Sequence, residues 1–218
     1  MSGEPHTLVC FAVVQESAPF RRRRSPASDL RILVTGMGPT NAARAFTQAL
    51  QERPPERVLT CGFAGGLHPA YGRNELFFET ESAEWSRLLT QAGGIRPARF
   101  LCADRIAITA AEKAELRRQS KADLVEMESG VIQRLCRERG IPCATLRVIS
   151  DAANDDLPLD FNSLLTPDHQ LSGFKLARAL LRNPGCVPGL IRLGRRSSEA
   201  AQHLADALER LLISQVPV

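Results

Sequence analysis

The sequence of 218 residues is poor in aromatic side chains, which make up 5% of it. Nucleic-acid-binding proteins usually cluster basic residues, often among exposed aromatic ones, whereas the arginines here are spread out except at residues 21–24. No stretch reaches the roughly 18 consecutive apolar residues of a membrane span. We therefore expect an aliphatic core, no nucleic-acid partner and no membrane-spanning segment.

Cysteine pairs of the CxxC type are absent as well. A structural zinc site needs such closely spaced ligands, so no metal ion is predicted. The six cysteines are expected to be reduced, buried thiols of a cytoplasmic protein, at positions 10, 61, 102, 136, 143 and 186. The opening MSGEPHTLVCFAVV has an acid and a proline ahead of a short apolar run, which is not the pattern of a secretory signal peptide.

Two common catalytic patterns are missing. The dinucleotide fingerprint GxGxxG is incomplete after Gly36 and Gly38, because its third glycine position holds Asn41, and this disfavours a nucleotide-dependent oxidoreductase. A hydrolase triad is not predicted either, because no histidine lies beside a serine or cysteine in a nucleophile motif. The four histidines are His6, His68, His169 and His203.

Apolar strand patterns alternate with helix patterns along the chain. This alternation indicates an α/β fold of three layers, in which helices flank a central, largely parallel, twisted sheet. We expect one domain over residues 1–218, with a helical C-terminal extension at about 171–215. The predicted strands are 7–14, 30–35, 57–61, 75–80, 99–103 and 143–150, and the predicted helices follow Pro39, cover 129–140 and continue from 171 onward.

Small or polar residues follow three of these strands, at the edge where α/β folds bind ligands. Gly36 and Gly38 precede a helix N-terminus, whose free N–H groups suit an anion or a hydroxyl. The segment CGFAGG at 61–66 is predicted to be a second such turn. Both segments are equally consistent with tight turns that need glycine. Asp151 ends the last strand, where an acid either faces a cleft as a general acid or caps a turn.

Glu128 lies at the start of the helix predicted over 129–140. The helix dipole stabilises a carboxylate there, and its two acceptor oxygens suit a vicinal diol such as the 2′ and 3′ hydroxyls of ribose. The alternative is a capping acid without a ligand. Glu126 shares the direction of Glu128 only if the chain is extended. We therefore expect one of these two acids to reach a ligand.

Four segments together resemble the nucleoside phosphorylase and nucleosidase superfamily, over roughly residues 8–160. They are FAVVQES, VTGMGPTNAARA, VLTCGFAGGLHPA and ADLVEMESGVIQRLCRERGIPCATLRVISDAAN. The superfamily includes purine and uridine phosphorylases, methylthioadenosine/S-adenosylhomocysteine nucleosidases and futalosine hydrolase. The resemblance implies an enzyme that cleaves the N-glycosidic bond of a purine nucleoside without a cofactor, using water or inorganic phosphate as co-substrate. A non-catalytic nucleoside-binding module is the alternative from another class.

The resemblance also implies roles for individual residues. Glu128 matches the carboxylate that binds the ribose diol, and Met127 would pack against the sugar. Asp151, with Ser150 beside it, matches the acid that protonates or hydrogen-bonds N7 of the departing purine. Glu16 matches the carboxylate with which nucleosidases activate water. Cleavage through an oxocarbenium-like sugar makes sense of this combination.

Four small residues would line the other walls of the site. These are Gly36 and Gly38 at the ribose or phosphate end, and Ala64 and Gly65 along the base. One departure concerns Arg105 and Ile106, which stand where nucleosidases have an aromatic neighbourhood for stacking the purine. A second departure is the lack of the PGDPxR-type phosphate loop of uridine and hexameric purine phosphorylases.

The C-terminal segment RALLRNPGCVPGLIRLGRRSSEAAQHLADAL differs from nucleosidase tails and is similar to hopanoid-associated phosphorylases, which release adenine from adenosylhopane. This similarity implies a 5′-substituted, lipid-tailed adenosine as substrate. Relatives also commonly assemble, so a homo-oligomer is expected.

A basic helical face lies in this segment beside an apolar stripe of Phe174, Ala177 and Leu181. Such a helix either makes a peripheral membrane contact or packs on the sheet with a solvated basic side. The basic residues are Lys175, Arg178 and Arg182, with Arg192, Arg195 and Arg196 further on. The arginines at 21–24 either meet phosphate or lipid head groups or belong to a mobile loop, and we expect the loop.

Overall fold

The computed structural model describes residues 6–23, 30–166 and 172–213. An eight-stranded mixed sheet forms its centre, with the strand order β2-β1-β3-β8-β4-β5. β7 pairs antiparallel with the end of β3 and parallel with β6. The strands are β1 (Thr7–Phe11), β2 (Leu30–Val34), β3 (Arg57–Gly66), β4 (Leu76–Thr80), β5 (Ile95–Pro97), β6 (Phe100–Cys102), β7 (Leu124–Glu126) and β8 (Cys143–Asp151).

Helices cover both faces of the sheet. They are α1 (Val14–Arg23), α2 (Pro39–Glu52), α3 (Ala83–Gln91), α4 (Ala110–Ser120), α5 (Ser129–Arg137), α6 (Phe161–Leu164), α7 (Gly173–Arg182) and α8 (Val187–Ile213), with a 3-10 turn at Pro184–Cys186. Pro39 occupies the first turn of α2, where its missing N–H group costs nothing. The predicted fold class, a sheet flanked by helices in three layers, is confirmed.

The core divides into two main clusters because successive side chains of a strand point to opposite faces. Val9 and Phe11 of β1 pack in a cluster with α8, whereas Leu8 and Cys10 pack in a cluster with α2 and α5. The central strands β1, β3 and β8 are buried on both faces. Their carboxyl ends are therefore held rigidly at one edge of the sheet.

β3 is longer than predicted. The sequence predicts that it ends at Cys61 and that CGFAGG forms a turn, which is wrong, because the strand continues to Gly66. The backbone of this glycine-rich segment stays paired with β8 as far as Gly65 and Asp151, with a register shift between Ala64 and Gly65. Pairing with the neighbouring strand outweighs the weak strand preference of glycine.

The prediction of a loop for the arginines at 21–24 is also wrong for Arg21–Arg23, which form the last turn of α1. Arg24 lies outside the described residues. The side chain of Phe20 is buried in the core against α8, and Arg23 hydrogen-bonds Gln202 and Asp206 of that helix. The strand predicted at 7–14 is shorter than expected: it ends at Phe11, and α1 begins at Val14.

The C-terminal part of the described chain consists of α7, the 3-10 turn and α8. The second half of α8 packs its apolar side on the sheet and on α1. None of the side chains of α7 is buried. No helix within the described ranges combines the length and hydrophobicity that crossing a bilayer requires.

Candidate active site

A cavity of about 210 Å³ lies at the carboxyl ends of β1, β3 and β8. Buried parallel strands end there, which is the usual place for a ligand in such folds. Seven of the nine residues predicted for the site line this cavity: Glu16, Ala64, Gly65, Met127, Glu128, Ser150 and Asp151. The structure therefore brings Glu128 and Asp151, distant in sequence, to one shared cavity.

The two remaining predicted residues, Gly36 and Gly38, stand behind the wall, and Met37 between them lines it. Both glycines have positive φ angles, of 85° and 81°, which glycine adopts without strain. This conformation directs the backbone N–H group of Gly38 at Glu128, whose Oε1 accepts the hydrogen bond at 2.9 Å. The glycine turn thus positions a carboxylate.

Glu16 is buried at the start of α1 and held by three backbone donors. Its Oε2 accepts hydrogen bonds from the N–H groups of Ala12 and Val13 at 3.0 and 3.1 Å, and its Oε1 accepts one from Phe63 at 2.8 Å. Burial raises the pKa of Glu16, and these hydrogen bonds and the charge of Arg147 oppose the rise only in part. A fixed carboxylate with a raised pKa is suited to accept a proton near neutral pH.

Glu128 forms the N-cap of α5 and is half-buried in the wall of the cavity. Its pKa is raised to about 7, because burial and the charge of Glu126 raise it more than Arg147 and the Gly38 N–H group lower it. The carboxyl group therefore exchanges its proton near neutral pH. When ionised, it offers acceptors to a pair of hydroxyl groups on the ligand.

Glu126 behaves differently, although only Met127 separates it from Glu128. Its Oε2 lies 2.7 Å from a guanidinium nitrogen of Arg147 and accepts from the N–H groups of Glu128 and Ser129, while Oε1 accepts from the hydroxyl of Ser129. Burial opposes ionisation, but Arg147 and these hydrogen bonds outweigh it and hold the pKa of Glu126 below its usual value. Glu126 is thus a support for the turn that presents Glu128.

Asp151 at the end of β8 has a partner that the sequence analysis missed. Lys113 of α4 is fully buried, and its ammonium group donates to Asp151 Oδ2 at 2.5 Å and to the carbonyl oxygens of Ala152 and Asp155 at 2.9 Å. The Ser150 hydroxyl donates to Asp151 Oδ1 at 2.7 Å. All three N–H donors of the lysine are used, so the ammonium group is fully satisfied without water.

Lys113 and Arg147 carried different signals in the sequence. Arg147 interrupts an otherwise apolar strand, and a charge in such a strand must find a partner. Lys113 lies in the polar helix sequence AAEKAELRRQS, where nothing distinguishes it from a solvated lysine. Only the arrangement of α4 over the end of β8 reveals its role.

The wall expected to face a base contains Phe63, Arg105 and Ile106. Phe63 supplies an aromatic ring that the prediction of a turn at 61–66 overlooked. Ile106 is fixed by two hydrogen bonds between its backbone and the amide group of Asn162. Arg105 pairs with Glu112 at 2.7 Å. This segment is therefore held in place, although it lacks the aromatic neighbourhood of nucleosidases.

A larger cavity of about 590 Å³ lies at the other end of β8, beside Pro142 and Cys143, and contains none of the predicted site residues. We assign the site to the smaller cavity because four carboxylates line it and two of them are paired with the buried cations Lys113 and Arg147. No cluster of metal-binding side chains occurs within the described ranges.

Comparison with known families agrees with this geometry. Residues 13–82 and 82–181 match the family described as the Phosphorylase superfamily. The chain belongs to the phosphorylase superfamily. The predicted enzyme class, nucleoside phosphorylase or nucleosidase, is thereby confirmed.

Two nucleosidases are moderately similar to this chain in sequence. The chain is 28% identical over 189 residues to the 5′-methylthioadenosine/S-adenosylhomocysteine nucleosidase of Glaesserella parasuis, an alignment that covers 72% of this chain and 82% of the relative. It is 26% identical over 198 residues to the nucleosidase of the same name from Haemophilus influenzae, covering 76% and 84%.

Solved structures of the superfamily share the fold. The Helicobacter pylori 5′-methylthioadenosine/S-adenosylhomocysteine nucleosidase superposes with a TM-score of 0.72 at 16% identity, covering 98% of this chain and 100% of that one. The futalosine hydrolase of the same organism gives 0.69 at 16% identity, covering 95% and 97%. The resemblance to hopanoid-associated phosphorylases stays a prediction.

Proposed function

We propose that this protein hydrolyses the N-glycosidic bond of a purine nucleoside, an adenosine derivative substituted at the 5′ position, and releases the free base. The observation that carries the proposal is the convergence of Glu16, Glu128 and Asp151 on one small cavity. The names of the relatives, which are nucleosidases for methylthioadenosine and S-adenosylhomocysteine, support it.

Glu128 anchors the sugar in this mechanism. Its carboxylate is fixed by the Gly38 N–H group and by the turn that Glu126 supports. The ionised group accepts hydrogen bonds from the 2′ and 3′ hydroxyls, and Met127 packs beside the ribose. A diol held at two points keeps the anomeric carbon in register with the groups that act on it.

Glu16 activates the nucleophile. A water molecule gives one proton to the carboxylate as its oxygen bonds to the anomeric carbon, and the bond from that carbon to N9 of the purine breaks. The electron pair of the broken bond goes to the base. The raised pKa of Glu16 makes it a better proton acceptor than an exposed glutamate.

Asp151 and Lys113 act on the leaving base. Asp151, which accepts hydrogen bonds on both oxygens and is therefore a carboxylate at the start, takes a proton from the Lys113 ammonium group and passes it to N7. The base leaves neutral, Asp151 returns to its starting form, and the lysine is left neutral until it takes a proton from solvent. Removing charge from the departing purine lowers the barrier to bond cleavage.

The charges of the residues that line the cavity favour water over phosphate as the nucleophile. Among the described residues that line the cavity, Arg105 is the only cationic one, and it is already paired with Glu112. The buried cations Lys113 and Arg147 are likewise paired, with Asp151 and Glu126. A phosphate dianion would meet Glu16 and Glu128 with little positive charge to offset them. We therefore propose hydrolysis, and phosphorolysis becomes an outcome of the test.

The test follows adenine release by chromatography from methylthioadenosine, S-adenosylhomocysteine and adenosines with long 5′-alkyl chains, with and without phosphate. We expect release without phosphate, a free sugar as product, and a loss of about 100-fold or more in kcat for Asp151→Asn. Asp206→Asn, on the exposed side of α8, is the matched control and should retain activity, since exposed ion pairs contribute little.

Three other results of this test would contradict the proposal. Release that depends on phosphate, with a sugar 1-phosphate as product, would make the enzyme a phosphorylase. Calorimetric binding of adenosine without turnover would support the non-catalytic binding module. Full activity in Asp151→Asn would overturn the mechanism.

A further inference from the structure

Large apolar side chains are exposed in one segment of the chain, residues 172–198. In α7, Phe174 and Leu181 are 78% and 85% exposed, and in the first turns of α8, Val187 and Ile191 are 38% and 55% exposed. Phe174 and Leu181 lie seven residues apart, on one side of α7. The inward side of the helix carries Leu176 and Leu180, which are half-buried.

The same segment is strongly basic. Between Ser172 and Ser198 there are six cations and no aspartate or glutamate, although the whole chain has a net charge of only +4. The positive charge of the protein is thus concentrated here, and the remainder of the chain is slightly acidic. The cations are Lys175, Arg178, Arg182, Arg192, Arg195 and Arg196.

We propose that α7 and the start of α8 form a docking surface for an anionic lipid membrane. Phe174 and Leu181 enter the boundary between head groups and acyl chains, and the basic side chains beside them meet the negative head groups. No helix in the described part of the chain is suited to span a bilayer, so the contact is peripheral.

Charge complementarity favours a membrane over a second copy of this chain as the partner of this surface. Two copies that met through this segment would bring the same six cations together with no acid in the segment to offset them, and like charges in contact are unfavourable. An anionic bilayer is complementary both to the cations and to the exposed apolar side chains. A nucleic acid would neutralise the cations but leave Phe174 and Leu181 without a partner.

The surface adjoins the candidate active site. Gly189, Arg192 and Arg196 of α8 border a cavity of about 270 Å³, and the wall of this cavity also includes Asp151 and Leu157, which line the catalytic cavity too. A protein docked in this way would hold its active site near the bilayer. The docking proposal itself does not depend on the reaction that the site catalyses.

The experiment is co-sedimentation of the full chain with sucrose-loaded vesicles, either of phosphatidylcholine alone or with about one third phosphatidylglycerol. We expect binding only to the anionic vesicles, and weaker binding as salt shortens the screening length from about 10 Å to about 3 Å. The variant Arg178→Gln/Arg182→Gln/Arg195→Gln should bind about 100-fold more weakly, from the contribution of each cation near the surface. Phe174→Ser/Leu181→Ser should also lose binding.

A matched control removes the same charge from exposed arginines elsewhere, in Arg87→Gln/Arg118→Gln/Arg139→Gln, and should keep most of the binding. Thermal melting of every variant confirms that the fold is intact. No binding of the wild type to anionic vesicles overturns the proposal, as does equal weakening by the control. A dimer in light scattering that Phe174→Ser/Leu181→Ser converts to a monomer, without vesicle binding, would identify the second copy as the occupant and also overturn it.

Discussion

Glu126 and Glu128 show how two identical side chains, separated by one residue, acquire different chemistry. Arg147 and Ser129 hold the first as a buried carboxylate with a lowered pKa. The second has lost most of its water and lies near the negative charge of the first, so its pKa rises to about 7. One acid thus supports the backbone, and the other is left to bind a ligand.

The raised pKa values of Glu128 and Glu16 predict the pH dependence of the reaction. Both groups must be ionised to act. Glu128 takes up a proton as the pH falls below about 7, and Glu16, whose pKa is raised by burial, does so at a higher pH than an exposed glutamate. We expect kcat/KM for base release to decrease by about tenfold or more for each unit below pH 7. Steady-state kinetics across this range will measure it, and a flat profile would contradict the roles assigned to these acids.

Ionisation of Glu128 should lower the folding stability, although it raises the activity. Its pKa is raised from 4.5 to about 7 in the folded state, so the folded protein binds more protons than the unfolded chain between these values. The contribution of this residue is therefore most favourable below pH 4.5 and is lost as the pH rises to 7. Binding and stability are in conflict at this residue, as is common for functional sites.

Lys113 allows a direct test of the proton path to the base. In Lys113→Met, the ammonium group on Asp151 is lost, and we expect kcat to fall by about 100-fold while KM changes little. Adding Asp151→Asn should cost little more, because the two residues act as one unit. Unchanged kcat in a folded Lys113→Met protein would show that the lysine serves only the structure.

At the scale of the element, the end of β3 requires a glycine at position 62. The reason is lack of space for a side chain, not a positive φ angle. A Cβ atom at Gly62 would lie 2.6 Å from Oε1 of Glu16, far inside contact distance. The strand therefore needs a residue without a side chain where it passes the carboxylate of Glu16. This requirement explains part of the sequence CGFAGG that resembled a turn.

Gly62→Ala should consequently displace the carboxylate of Glu16 and leave the sheet intact. We expect kcat to fall by about 100-fold, the cost of moving a catalytic group by about 1 Å, with a near-native circular dichroism spectrum. Gly72→Ala is the matched control, because no atom lies within 4 Å of its Cβ position. Equal activities of the two variants would mean that Glu16 is not catalytic.

At the scale of the whole molecule, α8 is part of the core whereas α7 is not. Leu204 of α8 is fully buried, and Leu181 of α7 is 85% exposed. We expect Leu204→Ala to lower the free energy of unfolding by about 2–5 kcal/mol, and Leu181→Ala to change it by less than about 0.5 kcal/mol. Chemical denaturation measures both, and similar losses would contradict the exposed position of α7.

Much of the fold was predictable because its strongest determinants are local. Continuous apolar runs placed β1, β2, β4 and β8 within a few residues, and the proline and apolar periodicity placed α2 and α5. Weaker patterns failed: the four arginines at 21–24 predict a loop, but Arg21–Arg23 form the last turn of α1. Its helical form depends on packing Phe20 against α8, which is contributed by the other end of the chain.

The sequence by itself determined the layered fold and nominated Glu128 and Asp151, because helix starts and strand ends are local features, and its resemblance to the superfamily added Glu16. Only the tertiary structure decided which charges meet. Lys113 on Asp151 and Arg147 on Glu126 join residues far apart along the chain. The protonation of a buried acid depends on its neighbours and its distance from water, and both are fixed only when the helices pack on the sheet.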